Sequence, residues 1–189
     1  MPSRDPSGDD RTRPVSIGPD VIVRAGAPED RQAIEALYPL VFPDEDLLPL
    51  VRQLLDMPDA TVSLVAVAGD NVIGHVLFTR CDLDGRKVAL LGPLGMDPVR
   101  QRKGLGAALV RAGLDRLRDA ACEHVFVLGD PAYYGRFGFR SEPGVATPCP
   151  IPDEWRAAWQ SLDLAGHGRA PRGRLAVLEP WRDPALWSP

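Results

Sequence analysis

A mixed α/β fold is predicted by the order in which strand and helix patterns follow one another along the chain. Residues 61–68 and 72–79 are rich in β-branched side chains and flank a Gly-Asp-Asn turn, which indicates an antiparallel hairpin. A second tight turn leads to a third strand at residues 88–96. Residues 106–121 then carry apolar side chains at helical spacing, and a short apolar run follows at residues 125–128. A crossover helix makes the strands that it joins parallel, so we expect both kinds of pairing in one sheet.

The remaining elements are predicted from similar patterns. Pro28 is followed by two acidic residues, a combination that suits the first turn of a helix. We further expect a strand at residues 21–24, a helix at residues 44–56, a short helix at residues 133–137 and a closing strand at residues 175–178.

Length and composition indicate one globular domain with a short tail. The chain has 189 residues, of which 44% are hydrophobic and 25% charged, values that suit a single hydrophobic core. Residues 1–20 contain few apolar side chains and cannot bury enough surface to offset the entropy of ordering. We therefore expect a disordered tail at residues 1–20 and a domain at residues 21–189.

Charge and cysteine content exclude several classes of protein. A net charge of −4 and a pI near 5.4 argue against a nucleic-acid partner, because non-specific binding of that kind needs a basic face. Three cysteines without a Cys-x-x-Cys pair fit neither a disulfide framework nor a zinc site, so we expect no metal. No apolar run is long enough for a signal peptide or a bilayer span, and we expect a cytoplasmic protein without a membrane partner.

A basic glycine turn at residues 101–106 predicts an anion site. It lies between a strand broken by Gly92, Pro93 and Gly95 and the start of the amphipathic helix. Backbone N–H groups at a helix start have no intrahelical partner and lie at the positive end of the helix dipole. Glycines also let a phosphate approach the backbone closely.

The two common nucleotide motifs fit this turn poorly. A P-loop needs Gly-Lys-Ser/Thr, whereas here Lys103 precedes Gly104 and no hydroxyl follows. A dinucleotide fingerprint needs a third small residue, and Leu109 stands in its place. Both are weak interpretations.

The turn instead resembles the pyrophosphate loop of the GNAT superfamily of acyl-CoA-dependent N-acyltransferases, which has the form Gln/Arg-x-x-Gly-x-Gly/Ala. Met96-Asp97-Pro98 is similar to the family's strand end followed by proline, and residues 133–139, Tyr-Tyr-Gly-Arg-Phe-Gly-Phe, resemble its later aromatic signature. The longer stretch VLGDPAYYGRFGF looks most like a bacterial subgroup of predicted N-acetyltransferases. The resemblance extends over about residues 21–180.

This resemblance implies a fold, a cosubstrate and a binding site. The fold is a mixed central sheet of about six to seven strands, splayed at an acyl-CoA cleft, with about four helices on its faces. Acetyl-CoA would be the cosubstrate. The pantetheine contacts would be Leu94, Gly95 and Met96, and the pyrophosphate contacts Gln101, Arg102, Lys103, Gly104, Leu105 and Gly106.

The resemblance also implies that Tyr134 is the general acid that protonates the departing thiolate. The general base stays open. Relatives often place a Glu on the broken strand, but residues 88–96 contain no carboxylate, which leaves His75, Asp130 or water. The Gly-Asp-Pro turn at residues 129–131 also lacks the Asn that some relatives use as a cofactor contact.

The expected activity is direct transfer of an acetyl group from acetyl-CoA to a primary amine of a small molecule or peptide. The alternative is a non-catalytic acyl-CoA-binding or interaction domain with the same fold. Asp44, Glu45 and Asp46 would favour a cationic acceptor, although solvated loop charge explains them equally well. A monomer and a homodimer are both compatible with the sequence.

Overall fold

A single mixed sheet organises the computed structural model, which describes residues 14–18, 20–168 and 170–188. Eight strands pair in the order β1-β2-β3-β4-β5-β6-β9-β7, and β8 and β10 form a separate parallel pair. The strands are β1 (Val15–Gly18), β2 (Val21–Ala25), β3 (Thr61–Ala68), β4 (Asn71–Leu83), β5 (Arg86–Met96), β6 (His124–Leu128), β7 (Arg140–Ser141), β8 (Val145–Ala146), β9 (Trp159–Asp163) and β10 (Gly173–Arg174).

The predicted mixture of pairings is confirmed. Strands β3, β4 and β5 are antiparallel neighbours, and β6 pairs with β5 in parallel after the crossover helix. The sheet has eight strands where six to seven were expected, because β1 and the two-residue β7 extend its two edges.

The helices cover both faces of the sheet. They are α1 (Arg31–Val41), α2 (Leu48–Leu55), α3 (Leu105–Asp119) and α4 (Pro131–Tyr134), with short 3-10 turns between several elements. Helix α2 begins later than the predicted residue 44, because residues 42–47 form turns. None of the helices in the described part of the chain is long and apolar enough to cross a membrane.

Two hydrophobic clusters lie on opposite sides of the sheet. On the α3 face, Leu109, Val110 and Leu117 pack against alternate side chains of the central strands. On the α1/α2 face, Tyr38 and Leu54 pack with the other alternate side chains and with the C-terminal segment at residues 175–187. The period-2 alternation of β5 and β6 therefore supplies both cores.

Two sequence predictions are corrected at the ends of the chain. Val15–Gly18, predicted as the end of a disordered tail, is strand β1 and pairs with β2, whereas residues 1–13 lie outside the described residues. Residues 175–178 are not a closing strand. Leu175 and Val177 are buried on the α1/α2 face, and the segment makes a single bridge, from Ala176 to Asp82. Strand β9 occupies the place in the sheet beside β6 instead.

A buried histidine links α1 to the sheet. The His75 Nδ1 lies 2.8 Å from the Tyr38 hydroxyl, and its Nε2 lies 2.9 Å from the Ser63 hydroxyl. Burial lowers the pKa of His75 from its ordinary value of 6.5 to about 3, although Asp30 acts weakly in the opposite direction. The ring is therefore neutral at pH 7, with both nitrogens hydrogen-bonded.

We predict that this histidine makes the fold sensitive to mild acid. Between about pH 6.5 and pH 3 the unfolded chain binds a proton at His75 that the folded chain does not, so stability is full above pH 6.5 and falls as the pH decreases. The expected loss between pH 6.5 and pH 5 is about 1–2 kcal/mol. Urea unfolding at several pH values gives the slope of the unfolding free energy against pH, and this slope should be smaller in H75Q than in the wild type. The exposed control H167Q should keep the wild-type slope, and equal slopes in all three proteins would contradict the assignment.

Candidate functional site

Strands β5 and β6 separate halfway along β5. Their pairing covers Val88, Ala89 and Leu90, and residues 91–96 of β5 continue without a partner in β6. Pro93 has no N–H to contribute to a ladder, and the register against β4 shifts between Val76 and Phe78, which bends the strand. The predicted splay of the two strands is thus observed, and it leaves backbone groups available along the opening.

The glycine turn lies just beyond the end of β5. Gly104 is the N-cap of α3 with φ +80°, and no other atom lies within 4 Å of where its Cβ would be. No side chain caps the first turn of α3, so its first N–H groups have no side-chain acceptor. The Gln101 side-chain amide donates to the Met96 carbonyl at 3.2 Å and ties the turn to the strand. Arg102 and Lys103 are exposed beside it.

The predicted pantetheine residues lie along the opening between the strands. Leu94, Gly95 and Met96 pair with β4 on one side and have no β6 partner on the other. The Met96 side chain is buried against Gly74, where an added Cβ would lie 2.2 Å from its sulfur. Met96 therefore packs in the core through its side chain while its backbone borders the opening.

Tyr134 reaches the opening from α4. Asp130 begins this helix by accepting a hydrogen bond from the Ala132 N–H at 2.8 Å. The Tyr134 ring lies against Gly129, where an added Cβ would be 2.4 Å from Cε2, and makes an edge contact with Phe139 at 5.7 Å. Its hydroxyl has no hydrogen-bond partner among the described residues, and burial raises its pKa, so the phenol keeps its proton at neutral pH.

A cavity of about 270 Å³ lies where β5 and β6 diverge, on the α1/α2 side. Tyr134 packs with the core of the α3 face and also lines this cavity, so its ring spans the gap between the two faces. We call it the strand-gap cavity. Its lining residues are Phe42, Glu45, Leu47, Leu50, Leu90, Leu91, Gly92, Pro93, Leu94, Leu128, Tyr134, Trp181, Leu186 and Trp187.

Neither candidate base lines the strand-gap cavity. His75 is fully buried between Tyr38 and Ser63, and its low pKa leaves it a poor proton acceptor at neutral pH. Asp130 is exposed and serves as the cap of α4. The described residues also contain no group of three or more His, Cys, Asp or Glu side chains placed to hold a metal ion.

Sequence reasoning missed the aromatic wall of the cavity. Trp181 and Trp187 come from the last residues of the chain, and their contact with β4 and β5 is tertiary. Tyr133 was also missed. Its hydroxyl lies 2.9 Å from where a Cβ on Gly106 would be, so it borders the first turn of α3. Two tryptophans six residues apart in a Pro-rich terminus were the available signal for the wall.

Comparison with known proteins assigns the family. A profile of the Acetyltransferase (GNAT) family matches residues 31–139. Among curated proteins, the chain is 35% identical over 146 residues to the uncharacterized N-acetyltransferase YjhQ of Escherichia coli K12, covering 72% of this chain and 81% of that protein. It is 36% identical over 122 residues to the uncharacterized N-acetyltransferase YhbS of the same strain, covering 63% and 73%.

Solved structures agree with this assignment. The crystal structure of E. coli YhbS in complex with CoA superposes with a TM-score of 0.76 at 30% identity, covering 88% of this chain and 94% of that one. A GNAT acetyltransferase from Brucella melitensis in complex with acetyl-CoA superposes with a TM-score of 0.69 at 28% identity, covering 85% and 97%. The sequence match and the shared fold place this chain in the GNAT family of acetyltransferases.

Proposed function

We propose that the protein is an acetyl-CoA-dependent N-acetyltransferase that moves an acetyl group directly to a primary amine. The observation that carries this proposal is the opening between β5 and β6, which has an uncapped glycine turn at its end and a protonated tyrosine in its gap. The YhbS and Brucella structures are complexes with CoA and acetyl-CoA, which supports the same cosubstrate here.

The residues at the opening suit a CoA thioester. The glycine turn has three features that fit a pyrophosphate. They are the space beside Gly104, the uncapped N–H groups at the start of α3 and the charges of Arg102 and Lys103. Gln101, Leu105 and Gly106 complete that loop. The β6 side of Leu94, Gly95 and Met96 offers backbone groups to an extended amide-containing arm, much as a sheet edge does to an added strand. Bound acetyl-CoA would supply the activated acetyl carbonyl.

The chain itself would supply hydrogen-bond donors for the carbonyl oxygen and a proton for the leaving sulfur. Unpaired backbone N–H groups of β5 can donate to the carbonyl oxygen as negative charge develops there. The Tyr134 hydroxyl holds a proton for the departing sulfur. In the balanced reaction a C–N bond forms and a C–S bond breaks. The acceptor starts as an ammonium ion, whose nitrogen gives up two protons, one to solvent water before attack and one that afterwards restores the phenol, and an amide and a free thiol result.

We predict that acetyl-CoA and CoA bind to the protein and raise its melting temperature. Acetyl-CoA or CoA at a hundred times its dissociation constant stabilises a protein by about 2.7 kcal/mol, which is roughly 5 to 10 °C for a domain of this size. ATP and NAD should shift the melting temperature much less.

R102Q/K103Q should weaken CoA binding roughly threefold to tenfold through lost charge at the turn. R86Q/K87Q removes the same charge at the opposite end of β5 and should leave the affinity unchanged. Equal effects of the two double variants would contradict the assignment of the turn.

The second prediction concerns Tyr134. Y134F removes the hydroxyl and keeps the ring that packs against Gly129 and Phe139, so we expect turnover to fall by at least about tenfold while acetyl-CoA affinity is nearly unchanged. The comparison variant is Y133F, which removes the hydroxyl beside the first turn of α3 and should change acetyl-CoA affinity more than turnover at saturating acetyl-CoA. The turnover of both variants is measured as thiol release at saturating acetyl-CoA and amine. Undiminished turnover in Y134F would remove its role as the acid.

A binding experiment without turnover separates the two functions that the fold allows. CoA binding with no amine-dependent thiol release from any amine class would favour the non-catalytic acyl-CoA-binding domain. Thiol release that rises and saturates with amine concentration would establish the transferase.

A further inference from the structure

Trp181 and Trp187 form an apolar wall of the strand-gap cavity, because their indole N–H groups donate hydrogen bonds elsewhere. Trp181 Nε1 donates to the Thr79 hydroxyl at 2.9 Å, and Trp187 Nε1 donates to the Trp181 carbonyl at 2.9 Å. The Trp181 ring lies over β5, with its Cη2 atom 3.5 Å from where a Cβ on Gly92 would be. Both tryptophans thus present ring carbon to the cavity.

Phe42 adds another aromatic side chain to the lining of the cavity. The Phe42 ring lies over β5, 3.7 Å from where a Cβ on Gly95 would be, and stacks on Tyr38 with ring centroids 5.9 Å apart. The Tyr38 hydroxyl is bonded to His75 and does not line the cavity. Seven leucines also line the cavity. These rings and leucine side chains offer no hydrogen-bonding groups, so they disfavour an acceptor whose body carries many hydroxyl or amino groups.

One carboxylate stands at this apolar cavity. Among the lining residues, Glu45 is the sole acidic side chain, and it has no ion-pair partner in the described part of the chain. Two backbone hydrogen bonds hold it in place, from the Glu45 N–H to the Phe42 carbonyl at 3.3 Å and from the Leu47 N–H to the Glu45 carbonyl at 3.1 Å. All three acidic residues line a neighbouring cleft, but Asp44 and Asp46 do not line the strand-gap cavity, whereas Glu45 does.

The volume sets a limit on the occupant. An apolar cavity of about 150 Å³ accommodates a benzene molecule. The strand-gap cavity, at about 270 Å³, has room for one ring or branched chain and a short aminoalkyl arm.

We infer that the acetyl acceptor is a small apolar monoamine: a protonated primary amine on an aromatic or branched alkyl body. The body lies between the tryptophan wall and Phe42, and Glu45 attracts the ammonium group to the cavity that Tyr134 lines. This inference rests on the proposed transferase function and names the substrate class of the same site. It also separates Glu45 from its two acidic neighbours, which sequence alone could not do.

The test compares acceptors on the full-length protein at saturating acetyl-CoA. Initial rates of thiol release are measured with 2-phenylethylamine and isopentylamine, and with spermidine and glucosamine as polar amines of other shapes. We expect kcat/KM for the two apolar amines to exceed the polar ones by at least about tenfold, since burial of a ring or branched chain is worth one to two powers of ten. A higher kcat/KM for spermidine or glucosamine would overturn the inference while leaving the transferase function intact.

Matched variants test the carboxylate. E45Q should raise KM for 2-phenylethylamine roughly threefold to tenfold with a smaller change in kcat, because it removes the charge that attracts the ammonium group. D44N makes the same change one residue away and should leave KM unchanged, and E45D should recover most of the affinity. Melting temperatures confirm that each variant folds. An unchanged KM in E45Q, or an equal rise in D44N, would overturn the role of Glu45.

A binding measurement distinguishes failure of the inference from failure of the proposed function. N,N-dimethyl-2-phenylethylamine keeps the body and the charge but cannot form the neutral amide. Its binding to the CoA-saturated protein is measured by calorimetry in the wild type and in E45Q. Binding that weakens in E45Q, without thiol release from any amine, would support the ligand class and reject the transferase. Thiol release without binding of this analogue would reject the ligand class and support the transferase.

Discussion

The structure depends on one incomplete strand pairing. Strand β5 is paired along its length with β4 but with β6 only as far as Leu90. Unpaired backbone groups normally cost about 1–3 kcal/mol each when they are buried, so an opening of this kind must be held apart by the surrounding structure. Tyr134 occupies the gap from the α3 face, and Trp181 lies on Gly92 from the other. The same interruption that weakens the sheet exposes backbone donors, and both proposed substrates meet there.

The C-terminal segment completes the site rather than the sheet. The Phe126 ring stacks on Trp159 at 5.5 Å, and edge contacts continue from Trp159 to Trp187 at 6.0 Å and from Trp187 to Trp181 at 6.2 Å. Each ring of this chain is at least nine-tenths buried, and such contacts add to the large apolar area that tryptophans bury. This aromatic row anchors residues 179–187 on the α1/α2 face, where they close one side of the strand-gap cavity.

Local chemistry explains how much of this could be predicted from sequence. The order of elements and the splay of β5 follow from turn residues, apolar periodicity and Pro93, all of which act within a few positions. The wall formed by Trp181 could not be predicted, because its partner Thr79 is 102 residues away. Strand β1 was missed because residues 1–20 are polar overall, whereas it pairs with β2 and its Ile17 packs on the α3-face core. The separation of Glu45 from Asp44 and Asp46 depends on two turn hydrogen bonds and has no sequence signature.

Charge is divided between the two sides of the opening. The basic turn at Arg102 and Lys103 lies at the start of α3, whereas Glu45 lies in the turn between α1 and α2. Since the net charge is −4, the positive potential at the turn is local and suits a phosphorylated cosubstrate better than a large polyanion. A cationic acceptor is repelled from that turn and attracted to the carboxylate. In the proposed reaction the two substrates would therefore enter from opposite faces and meet at the gap in the sheet, with Tyr134 between them.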